Sequence, residues 1–218
     1  EKISKEFGMH SDVNFVLWEK YLDMLKKFDL IIKTPGISLY HEKIYPYRHK
    51  ISSQAQIFFD YFQWKILAVS WTKGKSTTST LIYETLKNAG KKVQLIGNIG
   101  NPVLDFLDIE DLESQKNEYV VFEVSSYMLE WLKKSNYISV LLNIYSDHID
   151  WHAWFENYKA AKLNILKGSE YTIVRDEIVE NYEFDDDDIK EYAISVFGHT
   201  GKFFYKDGKF FENDTPVF

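Results

Sequence analysis

The sequence predicts an α/β fold, a mostly parallel sheet with flanking helices, preceded by part of another α/β unit. Three observations predict it. Short apolar runs recur at Ile66 to Val69, Val93 to Ile96, Tyr119 to Val124, Ile138 to Ile144 and Tyr171 to Val174. Runs this continuous suit strands covered on both faces. Helical stretches lie between several of them, which is the spacing of parallel strands joined by crossovers. The first run enters Gly74-Lys75-Ser76 and then a helical pattern, so strand, turn and helix follow directly.

Taken in order, Asn14 to Phe28 carries apolar residues at helical spacing. Asp29 to Lys33 predicts a strand, stopped by Thr34-Pro35-Gly36, because Pro cannot continue a ladder and Gly permits a tight turn. Residues 1–62 therefore read as the end of one α/β unit and residues 63–218 as the next. No earlier strand or Gly-rich turn is visible in the first unit. Ser76 to Ala89 predicts a helix with Leu81, Ile82, Leu86 and Ala89 on one face and Gly90 as its stop. Asp185 to Asp188 is an acidic run of the kind that forms a solvated loop. Lys202 to Phe218 alternates aromatic and polar residues around Asp207-Gly208, a hairpin turn.

Composition narrows the function classes. The 218 residues are 45% hydrophobic, enough for a sizeable core. Net charge is −7 with no Lys/Arg block, which argues against a nucleic-acid binder. There is no cysteine, hence no disulfide frame and no thiolate metal site, as in a cytosolic protein. No apolar run reaches the ~18 residues of a membrane span, and no signal peptide is visible.

Residues Ile66 to Thr78 carry the strongest chemical signal. Backbone N–H groups at a strand-to-helix turn, with the positive end of the helix, face an anion. Lys75 adds a charge that reaches β/γ-phosphates, and the Ser76 hydroxyl is a Mg²⁺ ligand type. A Gly-Lys-Ser triplet alone is common; its place between a strand and a helix is what points to a nucleotide. Glu123 lies at the C-terminal end of a predicted strand, where ligands sit in open α/β sheets. From the residues alone it is either a metal ligand or the partner of a nearby lysine. His148 follows the next strand, and Lys162 lies four residues after Tyr158 on one face of a predicted helix.

Several segments fall in a telling order: Thr34-Pro-Gly-Ile37, Thr72-Lys-Gly-Lys-Ser-Thr77, Gly97-Asn-Ile-Gly100 with Pro102, Phe122-Glu-Val-Ser-Ser-Tyr127 with Leu129-Glu130, Leu142-Asn143, Asp147-His148-Ile-Asp150, and Glu156-Asn-Tyr158 to Ala161-Lys162. Together they resemble the Mur ligase family, the ATP-dependent amino-acid ligases of peptidoglycan precursor synthesis, and within it the members that add D-glutamate. Met128 stands where those members carry Gln. The resemblance covers roughly residues 29 to 175.

That resemblance implies a P-loop central domain preceded by the C-terminal part of a Rossmann-like, UDP-substrate-binding domain. It implies that Thr34, Pro35 and Gly36 contribute to the uridine-nucleotide site. Thr72, Lys73, Gly74, Lys75, Ser76 and Thr77 would hold ATP. Ser76 and Glu123 would hold one Mg²⁺, and His148 and Lys162 a second, with Lys162 converted by CO₂ into a carbamate. That reaction needs a neutral amine, which burial favours. Asp147 and Asp150 would orient His148. Asn98 and Ser125 match positions near the substrate carboxylate and phosphates, although either is also a turn former. Lys75, Lys162 and His148 carry the catalytic roles. The implied substrates are UDP-N-acetylmuramoyl-L-alanine, D-glutamate and ATP, joined through an acyl phosphate. The resemblance also expects a Gly-rich turn before residue 1, and a Gly-x-His-Asn segment and an amino-acid-binding domain after Phe218.

Two residues depart from the pattern. Trp71 stands where the family has Gly at the start of the loop, and Trp154 falls where relatives often carry Gly. Gly is scarce, 10 of 218, while Trp numbers 6. The codon UGA is read as Gly in some bacterial lineages and as Trp in others, so these tryptophans are candidate recoded glycines. Two other readings fit parts of the sequence. A folylpolyglutamate synthase-like ligase shares the chemistry, but Gly97-Asn-Ile-Gly100 and Thr34-Pro-Gly36 favour the Mur branch. A non-catalytic nucleotide-binding module would follow if Trp71 blocks the loop.

Overall fold

The computed structural model describes residues 16, 18–62, 65–108, 111–115, 118–130, 132, 137–182, 193–195, 203–206, 209–212 and 215–216. Asp185 to Asp188 and the Asp207-Gly208 turn lie outside them. The main sheet has six strands: β3 (Lys65–Ser70), β4 (Val93–Gly97), β5 (Tyr119–Glu123), β6 (Ile138–Leu141), β7 (Tyr171–Val174) and β8 (Ala193–Ser195), in the order β4-β5-β3-β6-β7-β8. Every pairing is parallel. The five apolar runs of the sequence are β3 to β7. In β3, β5 and β6 the run is continuous because both faces are covered, every residue after the first being buried, whereas β4 and β7 are only partly buried.

Register gathers the strand ends. Val69 pairs with Glu123 and Glu123 with Gly97, while Ser70 pairs with Leu141 and Leu141 with Val174. The carboxyl ends of β4, β5, β3, β6 and β7 therefore form one edge. The chain leaves β3 for one side, returns as β5 and then crosses to β6 on the other. This places a topological switch point beside β3, where ligands bind in open α/β sheets.

The helix Lys75–Asn88 follows β3, and Gly90, at φ 72°, ends it as expected. Its inward face differs from the sequence expectation. Ser79 is buried and Ile82, Tyr83 and Leu86 pack on the core, whereas Leu81 is 62% exposed. Positions 79, 82, 83 and 86 form the i, i+3, i+4, i+7 stripe, and Leu81 falls off it. The helix Gln54–Tyr61, capped by Ser53, sends Phe58 and Phe59, with Phe62 just beyond it, onto Phe122 and Phe106. Each fully buried Phe contributes roughly 1.5–3 kcal/mol.

A smaller cluster of Leu25, Leu39, Ile44 and Ile51 lies around a short parallel pair, β1 (Ile31–Ile32) with β2 (Ile51–Ser52). The expected strand at residues 29–33 is thus shorter than its apolar run. At the other end β9 (Phe203–Lys206), β10 (Lys209–Glu212) and β11 (Thr215–Pro216) form an antiparallel sheet, with Lys206 opposite Lys209. Among the described residues no helix is long and apolar enough to cross a membrane.

Candidate active site

The loop after β3 bends back at Gly74, whose φ of 105° favours glycine. A Cβ there would also lie 2.9 Å from the indole Nε1 of Trp71. Trp71 is 2% exposed, so its ring is packed inside the bend. Asn143 and Tyr145 strap the loop from β6. The Thr72 N–H donates to Asn143 Oδ1 at 3.1 Å, the Lys73 N–H to the same atom at 3.3 Å, and the Tyr145 N–H to Thr72 Oγ1 at 2.9 Å. Thr72 Oγ1 also meets the Tyr158 hydroxyl at 2.9 Å. Lys75 folds over the loop and donates to the carbonyls of Trp71 (2.8 Å) and Thr72 (3.2 Å). Ser76 and Thr77 sit exposed in the first turn of the helix.

Beside the loop, Glu123 ends β5 and is fully buried. Asn98 Nδ2 donates to its Oε1 at 2.9 Å, and its Oε2 has no hydrogen-bond partner. Gly97 makes that contact possible. Its φ is 105°, and a Cβ there would run into the Glu123 carbonyl and the Phe122 ring. Ser125 caps the following short helix by accepting from Met128 N–H.

Lys162 comes from the helix Phe155–Leu163 and is 1% exposed. Its Nζ donates to Ser70 Oγ and to the Trp71 carbonyl, both at 3.0 Å. Burial first, and Lys75 second, bring its pKa from 10.5 down to about 7, with Asp147 and Glu123 opposing. Burial also lowers the pKa of Lys75, with Glu123 and Asp147 opposing. His148 has left-handed backbone, φ 50°. Its N–H donates to Asp147 Oδ1 at 2.9 Å and its Nε2 lies 3.6 Å from Asp147 Oδ2. Asp150 acts through its charge on Tyr127 and His152. Lys75, Asn98, Ser125, Tyr127, His148 and Lys162 line one cleft of about 520 Å³, open solvent included, with Ser126 and Tyr158 in its walls. Ser76 is not among its lining residues. Among the described residues no three His, Cys, Asp or Glu side chains form a metal cluster.

Thr34-Pro35-Gly36 is not in the lining of this cleft and docks on Trp151. Lys33 organises the turn by donating to the carbonyls of Thr34 (2.9 Å) and Ile37 (2.6 Å). Trp151 Nε1 donates to the Pro35 carbonyl at 3.1 Å, and Ser38 Oγ to the Trp151 carbonyl at 2.6 Å. Pro35 and Lys33 line a second cavity of about 360 Å³, which shares Tyr127 with the cleft.

Residues 69–209 match the Mur ligase middle domain. The chain belongs to the Mur ligase family. Its members are ATP-dependent amide ligases. Three relatives are named UDP-N-acetylmuramoylalanine–D-glutamate ligase. The one from Acetivibrio thermocellus is 35% identical over 95% of this chain and 44% of its own length. That from Clostridium tetani is 37% identical over 71% and 34%, and that from Clostridium acetobutylicum 36% over 84% and 40%. The chain thus spans less than half the length of these curated relatives. Among solved structures, MurF ligase from Thermotoga maritima in complex with ADP is 18% identical over 89% of this chain and 50% of its own, with a TM-score of 0.46.

Against this Mur ligase frame, Lys75, His148 and Lys162 share the cleft, and Glu123 reaches it through Asn98. Ser76 and Thr77 remain at the solvent side. The sequence reading missed Asn143 as the loop strap, and Tyr158 and Tyr127 as walls. All three lie inside the segments that carried the resemblance, which was the only signal available. Trp154 is 73% exposed with extended backbone, an environment that accepts tryptophan and glycine alike. The left-handed residue of the segment is its neighbour Ala153, φ 67°.

The buried lysines set a pH dependence. Lys162 at about 7 and Lys33 at about 8, against 10.5 when unfolded, mean that the unfolded chain holds more protons between those values. Stability therefore rises with pH there. Below 7, Glu130 (raised to about 7) and His152 (lowered to about 4) act in opposite senses and largely offset. The urea midpoint should be nearly flat from about pH 5 to 6.5 and climb from about 7 to 10. Lys162→Met should flatten much of the climb; an unchanged slope would mean that Lys162 titrates normally.

Proposed function

We propose that this chain is part of a ligase that joins D-glutamate to UDP-N-acetylmuramoyl-L-alanine in the cytoplasm. Residues 1–62 would be the end of the UDP-substrate domain and residues 63–218 part of the ATP-binding domain. One observation carries the reading: Lys75, His148 and Lys162 meet in a single cleft at the carboxyl edge of the sheet, beside buried Glu123. Sequence similarity to the D-glutamate ligases supports the choice of substrate.

Magnesium fits this donor set, because Glu123 Oε2 is buried without a partner. Glu123 with Ser76, and His148 with the Lys162 carbamate, would hold two ions, which supply shielding of phosphate charge. The chain's own residues do the rest. Loop N–H groups and Lys75 hold the phosphates in line with the acceptor carboxylate. The carboxylate displaces ADP to give an acyl phosphate. The D-glutamate amine then forms the amide and releases phosphate and a proton. Lys162, whose neutral form burial favours, adds to CO₂ as the free amine, forming an N–C bond and losing a proton, so that a side chain otherwise cationic becomes an anion.

Calorimetry of ATP with Mg²⁺ against this chain tests the site. Saturable binding lost in Lys75→Ala supports it. Binding that is unchanged in Lys75→Ala places the nucleotide elsewhere and sinks the reading. A non-catalytic module is the second reading, favoured by the Trp71 indole inside the loop. Nucleotide binding without amide formation by the full-length protein would select it.

A further inference from the structure

Behind the cleft lies a buried polar chain that the proposed reaction does not use. His152 is fully buried. Its Nε2 is 3.0 Å from Ser126 Oγ, and its Nδ1 has no hydrogen-bond partner. Facing Nδ1 is Glu130, with Oε1 at 3.9 Å and a side chain 8% exposed. Neither Glu130 oxygen has a hydrogen bond of ordinary geometry, although the Tyr40 hydroxyl and the Lys33 amine stand close enough to lower its pKa. Buried polar atoms without partners are rare and costly. Here one Glu130 oxygen faces His152 Nδ1. A separation of 3.9 Å exceeds a hydrogen bond but closes with a small rotation or one bridging water.

The surroundings of His152 are the walls of the cleft. Its ring stacks on Tyr127, with centroids 5.7 Å apart and planes at 11°, and meets Tyr158 edge-on at 5.3 Å. Its backbone N–H donates to the His148 carbonyl at 3.1 Å. Above pH 7 an imidazole at its ordinary pKa is already mostly neutral. A neutral imidazole has one N–H. A carboxylate opposite Nδ1 draws that proton to Nδ1, which leaves Nε2 an acceptor. The Ser126 hydroxyl must then donate to Nε2, and only its lone pairs are left for the cleft that Ser126 lines.

We propose that Glu130 and His152 are positioning residues that hold the Ser126 hydroxyl as an acceptor-only group in the cleft wall. That wall then takes the N–H or O–H of a ligand and disfavours a phosphate or carboxylate oxygen. The inference rests on the ligase reading only for what such a ligand would be, the attacking amine.

The test is a long-range proton–nitrogen spectrum of the histidine-labelled chain, without nucleotide, above the pH near 7 at which Glu130 titrates. His152, assigned by His152→Gln, should show a protonated Nδ1 and a bare Nε2, the tautomer that free histidine disfavours. Glu130→Met should move the proton to Nε2. If that variant loses the dispersed spectrum of a folded chain, titrating the wild type through pH 7 takes its place, and the tautomer should shift as Glu130 is protonated. A wild-type His152 protonated at Nε2, or a tautomer indifferent to Glu130→Met or to that titration, overturns the proposal. ATP binding at Lys75 can fail while this tautomer stands, and the reverse, so the two readings fail separately.

Discussion

Replacing Lys162 by alanine in the full-length ligase should lower amide formation by roughly 10²–10³-fold, the usual cost of removing one charge-stabilising group from a site. Added acetate, or another short carboxylate, should restore part of it. The geometry gives the reason. Lys162 is 1% exposed at the end of a tunnel of contacts to Ser70 and the Trp71 carbonyl. An ammonium there costs desolvation energy and repels Lys75, while the neutral amine is the form that attacks CO₂. As a carbamate, the side chain would extend an anion toward His148 and Lys75 across the cleft. Alanine leaves room for a small carboxylate to take that place. Activity that survives Lys162→Ala would count against the carbamate, and a loss that no carboxylate rescues would leave Lys162 with a packing role only.

Trp71→Gly should tighten ATP binding at least tenfold, about 1.4 kcal/mol. A phosphate loop needs its N–H groups open to the anion, and the Trp71 ring fills the bend those groups would line. Its backbone is not left-handed, so glycine would be needed there for space and not for conformation. Emptying a buried indole site costs folding stability, roughly 3–5 kcal/mol, if the ring belongs there. A recoded glycine would remove that conflict. The gene would then carry UGA at position 71, and a peptide mass from the native organism would show glycine. A UGG codon, with weaker ATP binding in Trp71→Gly, would establish Trp71 as a genuine core residue and favour the non-catalytic module.

Much of the sheet was legible because fully covered strands advertise themselves. Ile66 to Val69 and Tyr119 to Glu123, buried beyond their first residues, need no partner to be recognised as strands. The face of the helix after Lys75 was misread at Leu81 because one apolar residue off the stripe looks the same in sequence as one on it. The site was legible where a residue sits in a spaced motif, as Lys75 and Lys162 do. It was illegible where function depends on a neighbour brought in by folding. Asn143 straps the loop across 71 residues of sequence from Thr72, and Glu130 meets Tyr40 and Lys33 only because the Thr34-to-Ser38 turn docks on Trp151. Pairings of that separation leave no local period.

The strand order also governs when the site can exist during synthesis. β3 lies between β5 and β6, and neither follows it directly in the chain. Within this parallel sheet no hairpin can form first, and loop closure over long distances must precede its native pairing. Lys75 can meet Lys162 only after the intervening chain, through β6 and the helix Phe155–Leu163, has emerged from the ribosome. A nascent chain halted before that helix would present the loop and an open β6 edge, which β7 has yet to cover, with no cleft. Such an edge is a template for pairing with other chains. Truncations between Leu141 and Phe155 should therefore aggregate, whereas the assembled sheet has β6 sealed on both sides, by β3 and β7.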